Sequence, residues 1–253
     1  GMYKGVAYRP RPELELLDEI AAAGRRCPGV RRIFLADGDV LALGFDRLRR
    51  ILEALNAAFP RLARINSYAN GSSIGRYEDS ALEVLKTLRL HTLYLGLETG
   101  MQPLLDRVGK TEQVAQMIDS VRRAQACGLR ASVMVLLGLG GRVYSREHAV
   151  RSAEALNAMQ PRLLSALRFV PVLGKPFGEF ELLSEAETVA ELLTLVENLE
   201  LEHTVFRANH TSNPLPLEAR FPADKARLIS RLRSVLDSGG LDESGPGILP
   251  AEL

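Results

Sequence analysis

Chemically active residue types follow the predicted buried strands of this 253-residue chain. The candidates after the first three strands are Asp37, Gly38, Asp39, Tyr68, Asn70 and Glu98. Two carboxylates that flank a glycine could hold a divalent metal ion or the amino group of a ligand, although Asp-Gly-Asp also forms ordinary turns. Glu98 closes an otherwise apolar strand, so its carboxylate faces either a site or a buried partner.

A glycine segment follows the fourth predicted strand, at Gly138, Gly140 and Gly141. It lacks the third spaced glycine of a dinucleotide-binding fingerprint, because position 143 is valine. The segment therefore indicates either a close approach of the backbone to a flat ligand or a simple turn between strand and helix.

Short apolar runs predict the buried strands that position these residues. They cover residues 32–36, 63–68, 92–97, 131–137, 166–172 and 203–206. Segments with helical periodicity separate them, so each gap is expected to hold one crossover helix. Repeated β-α units predict an α/β fold, and their even spacing favours a partial TIM-like (β/α)6 barrel over an open doubly wound sheet. The carboxyl ends of parallel strands then meet at one rim, where a ligand binds.

The chain opens with a helix, predicted over residues 11–26, that has no strand before it. A crossover helix covers a strand that precedes it, so either the barrel lacks its first strand or the opening helix is an N-terminal addition to the fold. Residues 1–238 are predicted to form one barrel domain whose last helix, over 224–236, caps the barrel. Residues 239–253 are predicted to be a flexible tail. Ser184 and Glu187 match a capping box and predict the start of another helix.

Composition argues against several classes of protein. The chain has 32 Lys and Arg against 31 Asp and Glu, so no basic excess indicates a nucleic-acid partner. No apolar run approaches the roughly 20 residues that a membrane span needs, and no signal-peptide pattern is present, so the predicted compartment is the cytoplasm. The only cysteines, Cys27 and Cys127, fit no zinc or iron–sulfur spacing.

Taken together, these segments resemble the radical S-adenosylmethionine (SAM) superfamily, and in detail the iron–sulfur proteins related to oxygen-independent coproporphyrinogen III oxidase. The resemblance covers residues 1–177, and its most specific part is LYLGLETGMQPLLDRVGK at 93–110. A long helix that ends at Gly128, the LLGLGG segment at 136–141 and FVPVLGKP at 169–176 follow in the family's order.

The resemblance implies a partial barrel that binds SAM and a [4Fe-4S] cluster at the carboxyl ends of its strands. Reductive cleavage of SAM then gives a 5′-deoxyadenosyl radical that abstracts hydrogen from an unassigned substrate, such as a small molecule. An electron donor such as flavodoxin or ferredoxin is implied as a partner. By resemblance, Asp37, Gly38 and Asp39 receive the amino group of SAM, Tyr68 and Asn70 contact its methionine part, Glu98 binds the ribose hydroxyls, and Gly138, Gly140, Gly141 and Val170 lie beside the adenine.

The sequence departs from the family at three points. The first turn is ADGD in place of a run of glycines ending in Glu, Tyr68 stands where an acidic residue is common, and the three cysteines spaced C-x3-C-x2-C are absent. We therefore expect that the chain starts just after the cysteine loop; a natural pseudoenzyme without a cluster is the alternative. The strand at 32–36 would then be an exposed edge, covered by residues 1–10 or by a neighbouring molecule.

Two further hypotheses remain open for the function. A metal-dependent barrel lyase or hydrolase would use Asp37, Asp39 and Glu98 as ligands of Mg²⁺ or Mn²⁺. A non-catalytic interaction domain would need no such ligands. Beyond the region of resemblance, Asn209 and His210 follow the last predicted strand and are candidates for contact with the substrate.

Overall fold

The fold is built on one mostly parallel sheet, seen in a computed structural model that describes residues 9–171 and 181–247. Its strands are β1 (Arg32–Asp39), β2 (Arg64–Tyr68), β3 (Leu90–Glu98), β4 (Arg130–Leu137), β5 (Leu163–Arg168), β6 (Val205–Ala208) and β7 (Leu217–Arg220). They lie side by side in chain order in a seven-stranded sheet. β1 to β6 run parallel, and β7 pairs antiparallel with β6.

Helices connect the strands. They are α1 (Glu13–Arg26), α2 (Phe45–Ala58), α3 (Gly71–Ile74), α4 (Asp79–Thr87), α5 (Gln102–Arg107), α6 (Val114–Ala126), α7 (Gly141–Met159), α8 (Glu185–Asn198) and α9 (Lys225–Asp237), with a 3-10 helix at Val40–Leu43. The crossovers β2–β3 and β3–β4 each contain two α-helices, so the prediction of one helix per gap is wrong there. The additional helices α3 and α5 are too short for periodicity to reveal. In the two ranges that the structure covers, no helix is long and apolar enough to cross a membrane.

Alternation along the strands separates two faces of the sheet. Ile65, Leu93 and Val133 belong to the hydrophobic core, which the strands form together with the helices. Residues of the other parity, such as Phe34 and Tyr68, point to the opposite face, which we call the inner face. The main helix layer thus covers one face, and the inner face carries the polar and aromatic side chains described below.

The predicted α/β class is confirmed, and the sheet does not close into a complete barrel. β1 and β7 are its two edges, and neither pairs with a further strand among the described residues. Sequence reasoning missed β7, because its four residues, LEAR, offer too short an alternation to stand out. The antiparallel direction of β7 ends the series of β-α units.

All six predicted strands differ from the structure at one end or both, by one or two residues in β2, β3, β4 and β6 and by three or more in β1 and β5. β1 continues to Asp39, because Asp37 (φ 65°) and Gly38 (φ 150°) form an irregularity after which Asp39 pairs with Tyr68. β5 covers Leu163–Arg168 rather than 166–172, because Ser165 breaks the apolar run although it belongs to the alternating strand. β6 begins at Val205 rather than at 203. Residue 172 lies outside the described residues.

The outer edge of β1 lies beside an open cleft of about 1060 Å³. Apolar side chains of α1, β1 and α2 line this cleft, among them Ile20, Leu35 and Leu55. Arg9 and Pro10 also line it, but residues 1–8 lie outside the described part of the chain. The covering of this edge by residues 1–10 or by a neighbouring molecule therefore stays a prediction.

The C-terminal segment packs around α8. Ser184 and Glu187 form the predicted capping box at the start of this helix, and α9 lies against α8 and β7. Residues 239–247, predicted to be flexible, make hydrogen bonds there. The backbone N–H of Glu185 donates to the carbonyl of Gly245 over 3.2 Å, and the Arg168 guanidinium donates to the carbonyl of Pro246 over 2.6 Å.

Candidate functional site

The loop after β1 is fixed to the loop after β2 by the side chain of Asp39. Its Oδ1 accepts the backbone N–H of Leu41 over 3.0 Å, and its Oδ2 accepts the backbone N–H of Asn70 over 3.2 Å. Burial raises the pKa of Asp39, and its hydrogen bonds, beginning with that from the Ser73 hydroxyl, act in the opposite direction. Asp39 and Asn70 therefore meet at the rim, whereas the side chain of Asp37 is exposed.

Three aromatic rings meet on the inner face beside this loop. The ring centroids of Phe34 and Tyr68 lie 4.9 Å apart, and those of Phe34 and Tyr94 lie 5.2 Å apart, both edge to face. Phe34 and Tyr68 remain 40% and 46% exposed, so their rings can contact a ligand. Sequence reasoning selected only Tyr68. Tyr94 and Glu98 are an even number of positions apart in β3, so their side chains lie on the same face. This spacing is the signal in the sequence that indicates Tyr94.

Glu98 forms a unit with Gly96 and Lys110 at the end of β3. Glu98 has a left-handed backbone (φ 63°), and a Cβ atom added at Gly96 would fall against its carboxylate. Lys110 Nζ lies 3.3 Å from Glu98 Oε1 and also donates to the carbonyl of Gly96. The side chains of Glu98 and Lys110 are 24% and 21% exposed, so this ion pair is open to a ligand on one side.

The glycine segment after β4 is a tight turn whose amides bond within the protein. The N–H of Gly138 donates to Glu191 Oε1 over 2.7 Å, and the N–H of Gly141 donates to the carbonyl of Gly138 over 3.1 Å. The N–H of Leu139 donates to the carbonyl of Leu136. These amides therefore cannot serve as donors to a phosphate without a change of the turn. The segment instead brings its backbone close to the rim.

A buried polar network supports this turn from below. Glu191 accepts the hydroxyl of Ser145 over 2.6 Å besides the amide of Gly138, and burial raises its pKa to about 7. His148 contacts Thr99 Oγ1 through Nδ1 over 2.8 Å and the carbonyl of Leu136 through Nε2 over 3.0 Å. A carbonyl only accepts, so Nε2 carries the proton of the neutral ring. Burial lowers the pKa of His148 to about 4.

Sequence reasoning missed Glu191 and His148, yet a local signal exists for Glu191. In α8, it lies at helical spacing from Thr188 and Leu195, which are buried on the same side. A carboxylate on the apolar stripe of a helix indicates a buried polar partner. That partner, Gly138, is 53 positions away in the sequence, so the pattern cannot identify it.

The candidates beyond β5 follow the carboxyl ends of β5 and β6, at the same end of the sheet as the rim. Val170 is half-buried just after β5. His210 follows the parallel strand β6, and its Nδ1 accepts the backbone N–H of Ser212 over 3.1 Å and lies 2.8 Å from the Ser212 hydroxyl. Asn209 donates to Glu218 Oε1 over 2.8 Å. The loop thus places His210 at the rim, and it holds Asn209 in a contact with β7.

The predicted metal ligands do not come together. Within the described ranges, no three or more His, Cys, Asp or Glu side chains form a group that could hold a metal ion. The hypothesis of a Mg²⁺ or Mn²⁺ site built from Asp37, Asp39 and Glu98 is therefore wrong. The side chain of Asp37 is exposed. The carboxylate of Asp39 accepts hydrogen bonds from backbone N–H groups instead.

The two cysteines do not fit an iron–sulfur cluster. Cys27 is exposed at the end of α1, and Cys127 is buried at the end of α6. Each precedes a strand, so both lie towards the amino ends of the strands, away from the rim. Two separated thiols on that side cannot supply the three thiolates that a cluster at the rim requires.

A family model matches more than half of the chain. A model described as "Radical SAM superfamily" matches residues 2–156. This range contains the strands β1 to β4, the Asp39 loop, the unit of Gly96, Glu98 and Lys110, and the glycine turn.

Individual proteins are similar at low identity. The heme chaperone HemW of Bacillus subtilis is 24% identical over 148 residues, which are 58% of this chain and 38% of HemW. The biotin synthase of Trichlorobacter lovleyi is 26% identical over 256 residues, covering 92% of this chain and 73% of that protein. The structure of coproporphyrinogen III oxidase (HemN) from Escherichia coli superposes with a TM-score of 0.52 at 11% identity, over 91% of this chain and 48% of that chain. The chain thus spans less than half the length of HemW and HemN.

Proposed function

Because the chain belongs to the radical SAM superfamily, we propose that its rim binds SAM as part of a radical SAM enzyme. The observation that carries this proposal is the ion pair of Glu98 and Lys110. It lies at the carboxyl end of β3, partly exposed, within the range that matches the family. A fixed carboxylate at this place suits the ribose hydroxyls of a nucleoside, because it accepts hydrogen bonds from both.

The rim offers complementary groups for three further parts of SAM. The carboxylate of Asp39 suits the ammonium group, and the exposed rings of Phe34 and Tyr68 suit the positively charged sulfonium. The glycine turn and Val170 offer a flat, close backbone surface for the adenine. Lys110 acts as a positioning residue, because it holds Glu98 in the left-handed conformation beside Gly96.

We further propose that the cluster thiolates come from a polypeptide segment that is not among these 253 residues. A [4Fe-4S] cluster bound at the rim would supply one electron to cleave SAM into methionine and a 5′-deoxyadenosyl radical, and a donor of the flavodoxin or ferredoxin type would return that electron to the cluster. The residues of this chain do not fit that cluster. β1 pairs with no further strand on its outer edge among the described residues. This edge and the apolar cleft beside it suit a further parallel strand, which would carry the thiolates to the rim.

Titration calorimetry of the purified chain with SAM tests the first proposal. Replacing Glu98→Gln removes a charge-assisted acceptor, so we expect the affinity for SAM to fall by about tenfold or more. Lys110→Met should weaken binding in the same direction, because it releases the Glu98 carboxylate. The matched control is Glu53→Gln, at an exposed helix position that pairs with Arg49. No binding of SAM, or equal affinity in Glu98→Gln and wild type, would contradict the proposal.

Reconstitution with iron and sulfide tests the second proposal. The chain alone is expected to give no [4Fe-4S] absorption, since Cys27 and Cys127 lie on separate elements. A cluster that forms on the chain alone and is lost in Cys27→Ala or Cys127→Ala would overturn it.

A further inference from the structure

Arginines begin three strands of the sheet. β1, β2 and β4 start at Arg32, Arg64 and Arg130. Arg32 pairs with Arg64 in register, and Arg130 pairs with Thr92, which in turn pairs with Asn66. Residues of this parity lie on the inner face, where Arg130 is level with Asn66, two residues further along β2 than Arg64. We call the three side chains the arginine row. It lies at the amino ends of the strands, roughly 13 Å along β2 from Tyr68 at the rim.

The arginine row has no counter-charge in the described part of the chain. None of the ion pairs found there involves Arg32, Arg64 or Arg130. The Nε atom of Arg64 is buried without a hydrogen-bond partner, and so is the Oδ1 atom of Asn66, two residues along the same strand. Buried polar atoms are nearly always bonded in proteins, so Arg64 Nε, a donor, indicates an acceptor that the described residues do not supply. Asn66 Oδ1 is itself an acceptor and does not indicate an anion.

The surroundings of His91 indicate a positive electrostatic potential beside the arginine row. The register of β2 and β3 skips one residue between Leu90 and Thr92, which makes His91 the extra residue of a β-bulge. Burial lowers the pKa of His91 to about 4, with further lowering by the positive charges of Arg130, Lys86 and Arg64. The charged groups that lower the pKa of His91 are all cationic, and these groups attract an anion.

We propose that the arginine row of Arg32, Arg64 and Arg130 binds an oxyanion, the carboxylate or phosphate group of a small-molecule ligand, on the inner face. Guanidinium groups match both kinds of anion, because they donate two parallel hydrogen bonds. Arg32 and Arg130 are exposed and keep the row open to a ligand, while the half-buried Arg64 supplies a desolvated N–H donor. The row is separate from the rim, so this inference does not depend on the binding of SAM.

Titration calorimetry in a low-salt buffer tests the proposal with two probes, pyrophosphate and citrate. We expect one of them to bind with a Kd below about 1 mM, and the one that binds tells a phosphate ligand from a carboxylate ligand. Arg64→Gln and Arg130→Gln should each weaken binding by about tenfold, because each removes a charge-assisted donor. The control is Arg231→Gln, an exposed arginine of α9. Should Arg64→Gln fail to fold, the exposed Arg130 still provides the test.

A second measurement separates a specific site from general attraction. In the NMR titration of His91, the bound probe should raise the imidazole pKa from about 4, because a negative charge now offsets the arginines. Binding of neither anion would overturn the proposal. Binding that is equally strong in Arg130→Gln and Arg231→Gln, or that leaves the pKa of His91 unchanged, would also overturn it.

Discussion

Lys110 Nζ lies 3.3 Å from Glu98 Oε1, and the same ammonium group donates to the carbonyl of Gly96. The two charged residues are twelve positions apart and enclose the helix α5. Gly96 is the position at which a side chain would disturb this arrangement, because its added Cβ would meet the carboxylate of Glu98.

We predict that Gly96→Ala displaces Glu98 with little loss of stability. The group in the way is the flexible end of a side chain, so the free energy of unfolding should fall by less than about 1 kcal/mol. The affinity for SAM should nevertheless fall, since Glu98 no longer holds its position. Urea unfolding and calorimetry on the same preparation measure the two effects. A variant that binds SAM as wild type does would contradict this role of Gly96.

Gly100→Ala, in contrast, should clearly lower the stability of the protein. A Cβ atom at this position would collide with the carbonyl of Arg151 and lie 2.7 Å from the amide nitrogen of Ser152, which are backbone atoms of α7. Backbone cannot move aside as a side chain does, so we expect a loss of about 1–3 kcal/mol in the free energy of unfolding. Gly29→Ala is the matched control, because its added Cβ meets no atom within 4 Å. Equal stability of the two variants would refute the prediction.

As the pH rises from 4.5 to 7, the titration of Glu191 should lower the free energy of unfolding. Its folded pKa of about 7 exceeds the ordinary value of 4.5, so the folded protein keeps a proton that the unfolded chain has released. Replacing Glu191→Gln removes this titration. Relative to wild type, the variant should therefore gain on the order of 3 kcal/mol between pH 4.5 and pH 8.

Urea unfolding at several pH values measures this difference. His148 acts in the opposite sense, because its lowered pKa adds stability that is lost as the pH falls from 6.5 to about 4. His148 Nε2 lies 3.6 Å from Glu191 Oε1, so its effect does not cancel, and the comparison is repeated with His148→Gln in both proteins. Glu200→Gln, at an exposed position, serves as the control. Parallel pH curves for Glu191→Gln and wild type would show that Glu191 is not buried as a carboxyl group.

The sequence predicts the elements well where patterns are local. The capping box of Ser184 and Glu187 is confirmed, and the apolar strand cores lie within four or five consecutive residues that a short window detects. Contacts between distant segments are different. Glu191 binds Gly138, and Lys110 binds Glu98, because the fold brings separate loops together, and neither pairing leaves a pattern in the neighbouring sequence.

Arg168 should hold the C-terminal segment in place. Its buried guanidinium donates to the carbonyl of Leu183 over 2.9 Å and to the carbonyl of Pro246. In Arg168→Met both carbonyls lose their donor, so we expect a loss of about 1–3 kcal/mol in stability. Limited proteolysis should then cut within residues 239–247 more rapidly than in wild type. Arg231→Met is the control, and resistance equal to wild type in Arg168→Met would argue against this role.

Ser184→Ala should destabilise the protein by about 1 kcal/mol, because the N–H of Glu187 loses its acceptor at the start of α8. The measurement is the midpoint of urea unfolding. Ser234→Ala, at an exposed position of α9, is expected to leave that midpoint unchanged. An unchanged midpoint for Ser184→Ala would mean that water replaces the cap without cost.

Among the described residues, β1 and β7 are two edges of the seven-stranded sheet that do not join. A segment from elsewhere can therefore pair with β1 without first breaking an existing strand pair. In a closed barrel, such an addition would require one ladder of hydrogen bonds to open.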